Sequence, residues 1–178
     1  MKKVIASITV CLFVFWTARI ISINRNPPIT IYYNIGDTLD CGDLEVLFVE
    51  SHLDSPYEFK ERFGVDSDDS CGEHKVLSIC LNVTNKSNKD ADIKEVRDFL
   101  EEGFESSSWS SAINPEVTKQ INEANGESIA PGSTQKIWFV TEVNKMCFKD
   151  STWKIIEESP FTYVLTLSPQ KIAVRLDV

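Results

Sequence analysis

Acid–base or nucleophilic chemistry in this 178-residue chain would have to run through two histidines, His52 and His74, five cysteines and 27 acidic side chains. A Ser or Cys nucleophile needs a base within hydrogen-bond reach, and histidine is the usual one. Both histidines sit at the ends of alternating apolar segments, where a surface or edge role is expected rather than a general base. Paired carboxylates can hydrolyse a glycosidic bond, yet among so many acids no spacing singles out a pair. A secreted carboxylate-dependent hydrolase is therefore the alternative function, and no catalytic residue is expected. Asp66, Asp68 and Asp69 offer hard oxygen ligands suited to calcium, but the loop lacks the sixth-position Gly and twelfth-position Glu of an EF-hand. They are weak calcium candidates in a solvated loop. Cys71, His74 and Cys80 match no familiar zinc spacing, so neither a metal nor any other cofactor is expected.

Charge divides the chain unevenly. Residues 1–26 hold Lys2, Lys3, Arg19 and Arg25 and no acid; setting these four aside leaves 14 basic against 27 acidic residues, a net charge of −13 over residues 27–178. That field repels a polyanion, which excludes nucleic acid as a partner. The basic start leads into the apolar run Val4–Trp16 and a second patch, Ile20–Ile23. From Val4 to Ile23 the segment makes about 30 Å of helix, enough to cross hydrocarbon if Arg19 reaches the interface. No Ala-x-Ala pair follows it, and Trp16, Arg19 and Ile20 stand where a signal peptidase needs small side chains. Residues 1–25 are thus expected to form an uncleaved anchor helix, with a cleaved signal peptide and secretion as the alternative. Lys2 and Lys3 place the anchor's start in the cytoplasm and the remainder outside. Residues 26–29 form a Pro-rich linker to an extracellular domain over residues 30–178.

In an oxidising space, Cys41, Cys71, Cys80 and Cys147 form an even set and two disulfides are expected, each adding about 2–4 kcal/mol. Three pairings remain open.

The elements around these residues read as mainly β. Ile29–Ile35, Leu44–Leu53, Lys75–Thr84, Thr134–Val143, Phe161–Leu167 and Lys171–Val178 are expected strands. Leu77, Ile79, Leu81 and Val83 share one face of the third, which reads as half-buried. In the last, Ile172, Val174, Leu176 and Val178 are expected inward and Ala173, Arg175 and Asp177 outward. Ser55-Pro56-Tyr57-Glu58 is a capping box that starts a short helix closed by Gly64, and Asn114-Pro115 starts a second. Ile93, Val96, Leu100 and Phe104 follow helical spacing between strands, leaving residues 93–104 open. Six or so strands without a βαβ rhythm predict an antiparallel β-sandwich with one or two short helical inserts, preceded by the N-terminal hydrophobic anchor helix. Trp109, in a polar Ser-rich stretch, is either the anchor of a binding loop or a cover for the sandwich.

Tyr33-Asn34-Ile35-Gly36-Asp37, then Leu77 to Ser87, then Ile129-Ala130-Pro131-Gly132-Ser133-Thr134-Gln135, resemble the telokin-like, immunoglobulin-fold extracellular domains of unknown function of Gram-positive surface proteins. The resemblance spans residues 30–178 and implies an immunoglobulin-like sandwich, strand or irregular structure at Ile93–Leu100, and no catalytic residues. The chain departs from that family in its four cysteines and in inserts around Pro56–Cys71 and Phe104–Asn125. The expected role is a membrane-anchored, non-catalytic interaction domain facing outside, whose partner is an envelope protein or glycan. An accessory or sensor subunit of an envelope complex is a further alternative.

Overall fold

The computed structural model describes residues 15–17, 19, 29–67, 72–100, 102–107, 109–167 and 170–178. Two sheets face one another. The first contains β1 (Thr30–Asn34), β11 (Lys171–Arg175), β10 (Thr162–Thr166), β6 (Gly103–Ser106) and β7 (Trp109–Ser111), in that spatial order. The second contains β2 (Thr38–Asp40), β3 (Leu44–Asp54), β4 (His74–Asn85) and β9 (Thr134–Asn144). A small ribbon joins β5 (Ala91–Asp92) to β8 (Ser128–Ile129). Between the sheets, Phe48, Leu77, Ile79, Leu81 and Phe139 meet Phe104, Tyr163 and Val174, all at most 1% exposed. Each such side chain contributes about 1.5–3 kcal/mol by leaving water, so the alternating segments read from the sequence become the core.

Three expectations need correction. The sandwich is not wholly antiparallel: β1 and β11, from opposite ends of the chain, run parallel, with Tyr32 beside Ala173 and Asn34 beside Arg175. Residues 93–100 are a helix, because Asp92 Oδ1 accepts from the amides of Lys94 and Glu95 and the stripe Ile93, Val96, Leu100 is buried. The third is β4, which is buried on both faces, Ser78 and Cys80 being fully enclosed. Two helices absent from a strand-only count lie on that outer face: α1 (Pro56–Phe63) and α3 (Pro115–Ile121), α2 being Ile93–Leu100. Phe59 and Val117 from these helices pack with Val76 and Val140 into a second apolar cluster. A fourth short helix, α4 (Asp150–Trp153), follows β9.

Local chemistry starts and stops α1 as the sequence predicts. The Ser55 amide donates to Glu58 Oε2 at 2.8 Å while Ser55 Oγ accepts from the Glu58 amide, and Gly64, at φ +70°, closes the C-terminus. Ser55→Ala is expected to lower stability by about 1 kcal/mol, measured by urea unfolding. Hydrogen bonds from the Ser55 side chain, then from its backbone, hold the Glu58 carboxyl below the usual carboxylate range. This contribution is present above the unfolded pKa and is lost as pH falls through the lower folded value. The Ser55→Ala deficit should therefore shrink in acid.

The long outer strand β9 is protected along its free edge. Asn122, just past α3, donates its Nδ2 to the Trp138 carbonyl at 2.8 Å and accepts the Trp138 amide at 2.9 Å. Thr118 Oγ1 accepts the Val140 amide and Asn125 Nδ2 donates to the Lys136 carbonyl. Side chains thus take the place of a neighbouring strand and remove a template for edge pairing. No helix among the described residues is long and apolar enough to cross a membrane. Of the expected anchor over residues 1–25, only Phe15, Trp16, Thr17 and Arg19 are described.

Candidate binding trough

The strand register builds a polar face on the outside of the five-stranded sheet. Because Tyr33 and Val174 point inward, their neighbours Tyr32 and Arg175 point outward. One row across the strands reads Tyr32, Ala173, Val164, Gly103; the next reads Asn34, Arg175, Thr162, Glu105, Ser110. The first row is low-walled. Gly103 has φ +152°, and a Cβ there would lie 2.5 Å from the Ser111 carbonyl oxygen, so only glycine fits.

Two hollows meet at Glu105. The larger, about 650 Å³, lies among Tyr32, Ser106, Thr162, Arg175 and Asp177; the smaller, about 330 Å³, lies over Gly103, Val164 and Leu167. Lys171 Nζ donates to both Glu105 carboxylate oxygens at 2.6 Å, and Thr162 Oγ1 donates to Oε1 at 3.2 Å. The carboxylate is thereby fixed in place while keeping unused lone pairs. The Arg175 guanidinium carbon stands 4.6 Å from the centre of the Tyr32 ring, a cation–π stack. Arg175 forms no ion pair among the described residues. Aromatic surface, a fork of N–H donors and a pre-set acceptor are thus brought together on one rigid face.

The histidines lie elsewhere. His52 Nε2 is 3.2 Å from Glu50 Oε2, and its ring stacks on Trp138, against which Phe63 packs edge-on. His74 is buried, contrary to the expected surface or edge position, with Gly72 and Ser67 bonded to its two ring nitrogens. Its Nδ1 lies 2.7 Å from the Gly72 carbonyl, which makes it the donor there, so Nε2 accepts from Ser67 Oγ at 3.1 Å. A Ser–His contact has the form of a nucleophile and base. Ser67 is only 7% exposed, however, and the contact ties the chain before β4 to the strand's first residue.

The family model of DUF5028, a domain of unknown function, matches residues 31–172. This chain belongs to that family. No curated protein matches it. Among solved structures, an uncharacterized β-sandwich protein from Clostridium difficile 630 aligns at 10% identity and a TM-score of 0.51, over 85% of this chain and 99% of that one. A conserved hypothetical protein from Bacillus anthracis aligns at 10% identity and a TM-score of 0.47, over 73% of this chain and 87% of its own. The first of these likenesses identifies the fold as a β-sandwich.

The DUF5028 sandwich separates the cysteines that parity suggested were paired. Cys41, Cys80 and Cys147 are free thiols. Cys41 lies at the Asn85 end of β4, where its amide bonds to Leu44 and Leu44 pairs with Asn85. Cys147 lies beyond the other end, where Asn144 pairs with His74. At ~3.3 Å per residue, Cys80 in mid-strand is roughly 15 Å or more from either, against a Cα limit of about 7 Å for a bridge. Each of the three pairings needs one bridge among these three residues, so the two-disulfide expectation fails. Cys71, Asp68 and Asp69 lie outside the described residues. Asp66 is exposed and ion-paired with Lys60 at 2.7 Å.

Burial pushes the Cys80 thiol up to about 12, and burial with the neighbouring Asp40 charge also raises Cys41. At neutral pH, native DUF5028 chain treated with iodoacetamide should therefore label at exposed Cys147 and spare Cys80 until denaturant is added, as peptide mass spectrometry would read.

Trp109 does not stand free as a loop anchor. It opens β7 and packs edge-on to Phe161 at 5.9 Å and beside Phe148 at 6.0 Å, covering the end of the core. Sequence reading missed Tyr32, Glu105 and Lys171 as site residues; the outward position of Arg175 was its one legible signal.

Proposed function

We propose that the chain is a non-catalytic interaction domain of the cell envelope, held in the membrane through residues 1–25, with an immunoglobulin-like sandwich over residues 30–178 facing outside. The observation that carries this reading is the trough on the five-stranded sheet, where Tyr32, Arg175, Thr162 and a Lys171-fixed Glu105 converge around about 650 Å³. A concave surface with a few convergent polar groups on rigid strands is the general form of a binding site. The acid-free, basic and apolar leader supports the location. The parallel pairing of first and last strands within a two-sheet sandwich supports the immunoglobulin-like arrangement.

Fractionation of cells making the full chain tests the location. The expected result is recovery with membranes, resistance to alkaline extraction, and digestion by protease added outside intact cells. Recovery in the cytosol overturns it. Turnover of a model glycan that is lost in Glu105→Gln would establish the hydrolase instead.

A further inference from the structure

We infer that the trough binds an uncharged saccharide chain; this rests on the envelope-interaction reading and names the class of partner for the same face. Size is the first argument. Hollows of about 650 and 330 Å³ meeting at Glu105 fall in the range of small-ligand sites, roughly 300–1,000 Å³. A folded protein partner instead needs on the order of 1,000 Å² of buried surface, and the outer rows here are broken by the recess over Gly103.

Charge is the second argument. The two hollows are lined by Arg175 with Glu102, Glu105 and Asp177, and Lys171 beside them is engaged by Glu105, on a chain whose net charge is −9. An anionic polymer would meet three carboxylates and the repulsive field of the whole domain, and a cationic one would meet the guanidinium of Arg175, which no carboxylate among the described residues pairs. A neutral ligand meets no such opposition.

Donor and acceptor geometry is the third. A sugar ring carries hydroxyls, each both donor and acceptor, around its edge and C–H groups on its faces. Glu105, held by two 2.6 Å contacts from Lys171, accepts hydroxyl protons without first losing rotamer freedom. Arg175 offers a planar fork of N–H donors held against the Tyr32 ring at 4.6 Å; Thr162, whose proton goes to Glu105, can accept, and Ser106 supplies a hydroxyl of either sense. Tyr32, 46% exposed, leaves aromatic surface for the C–H face of a sugar. Because the two hollows share Glu105, a chain of linked rings can lie across both, with that carboxylate at its middle.

The test uses the full-length chain in detergent, immobilised and exposed to envelope fragments from the cells that make it, with retention measured before and after treatment of the fragments. Periodate, which cleaves vicinal diols, is expected to abolish retention, and protease to leave it intact. Tyr32→Ala and Arg175→Ala should each weaken retention at least about tenfold. Arg175→Lys, which keeps the charge but loses the fork, should fall nearly as far. All are exposed positions, and unchanged unfolding midpoints would show that the variants keep the fold. Retention that is sensitive to protease and indifferent to periodate, or undiminished in both alanine variants, overturns the saccharide site while leaving an envelope-binding domain. Absence of any retention by the native chain overturns both.

Discussion

Phe59→Ala is expected to cost about 3–5 kcal/mol, which for a chain of this size lowers the melting midpoint by roughly 6–20 °C. Phe59 is fully buried in α1, where it packs with Val76 of β4, Val117 of α3 and Val140 of β9, with Phe63 tilted against it at 4.8 Å. Truncation removes the side chain that joins both helices to the outer face of the sheet. The surroundings cannot collapse into the space, because the backbone of β4 is held on both sides by β3 and β9. The effect should extend beyond the cavity. Once α1 loosens, Ser78 and Cys80 come within reach of water, so the variant should label at Cys80 at denaturant concentrations that leave the native chain protected. A loss below about 1.5 kcal/mol would mean that α1 contributes little to holding the second apolar cluster.

The Asn85→Ala substitution is expected to cost about 3 kcal/mol, most of it from partners left unpaired. Asn85 ends β4 and is fully buried. Its Nδ2 donates at 2.7 Å to the carbonyls of Lys89 and Ile129, and its Oδ1 accepts from the Ser87 amide and hydroxyl. One side chain therefore ties the turn after β4 to the β8 segment, and its own backbone bonds Gly132 and Ser133. Alanine leaves a buried carbonyl and amide without partners. Asn85→Asp should do comparable harm, since a carboxylate has no N–H to offer the two carbonyls. Urea unfolding reads the loss, and a midpoint within experimental scatter of the native chain would sink it. The same burial makes Asn85 inaccessible as a sugar acceptor, although Asn85-Lys86-Ser87 has the acceptor pattern.

Some of this was legible residue by residue, because the determinants are local. Period-two alternation identified the inward set Ile172, Val174 and Leu176 and the outward Arg175 and Asp177; it failed at Val178, which lies exposed past the end of β11, and at Ala173, which is fully buried between its strand neighbours. The capping box at Ser55 and the N-cap at Asn114 start helices, since a cap and its partner lie within three residues of each other. Where the signal was weak or divided, it failed. The Ser-rich stretch around Trp109 reads as loop, yet β6 and β7 form there because Phe104 and Trp109 gain burial against Tyr163 and Phe161. Helix 93–100 carried its stripe in plain view, but its cap, Asp92, belongs to the β5–β8 ribbon, which no short-range pattern announces. Cysteine parity misled for the opposite reason: counting is blind to the distance along β4.

The amino-acid order alone determined a mainly β chain with a strongly acidic body, the core-facing side chains of β4 and most of those of β11, and the start of the helices at Ser55 and Asn114, because alternation, net charge and capping act between near neighbours. Only the tertiary structure decided that β1 and β11 run side by side, that α1 and α3 enclose a face which alternation left open, and that Tyr32, Arg175, Glu105 and Lys171 share one trough. Those contacts join segments far apart in the chain. Their energies come from closing one sheet on the other, and no local pattern encodes which distant strand will be the neighbour.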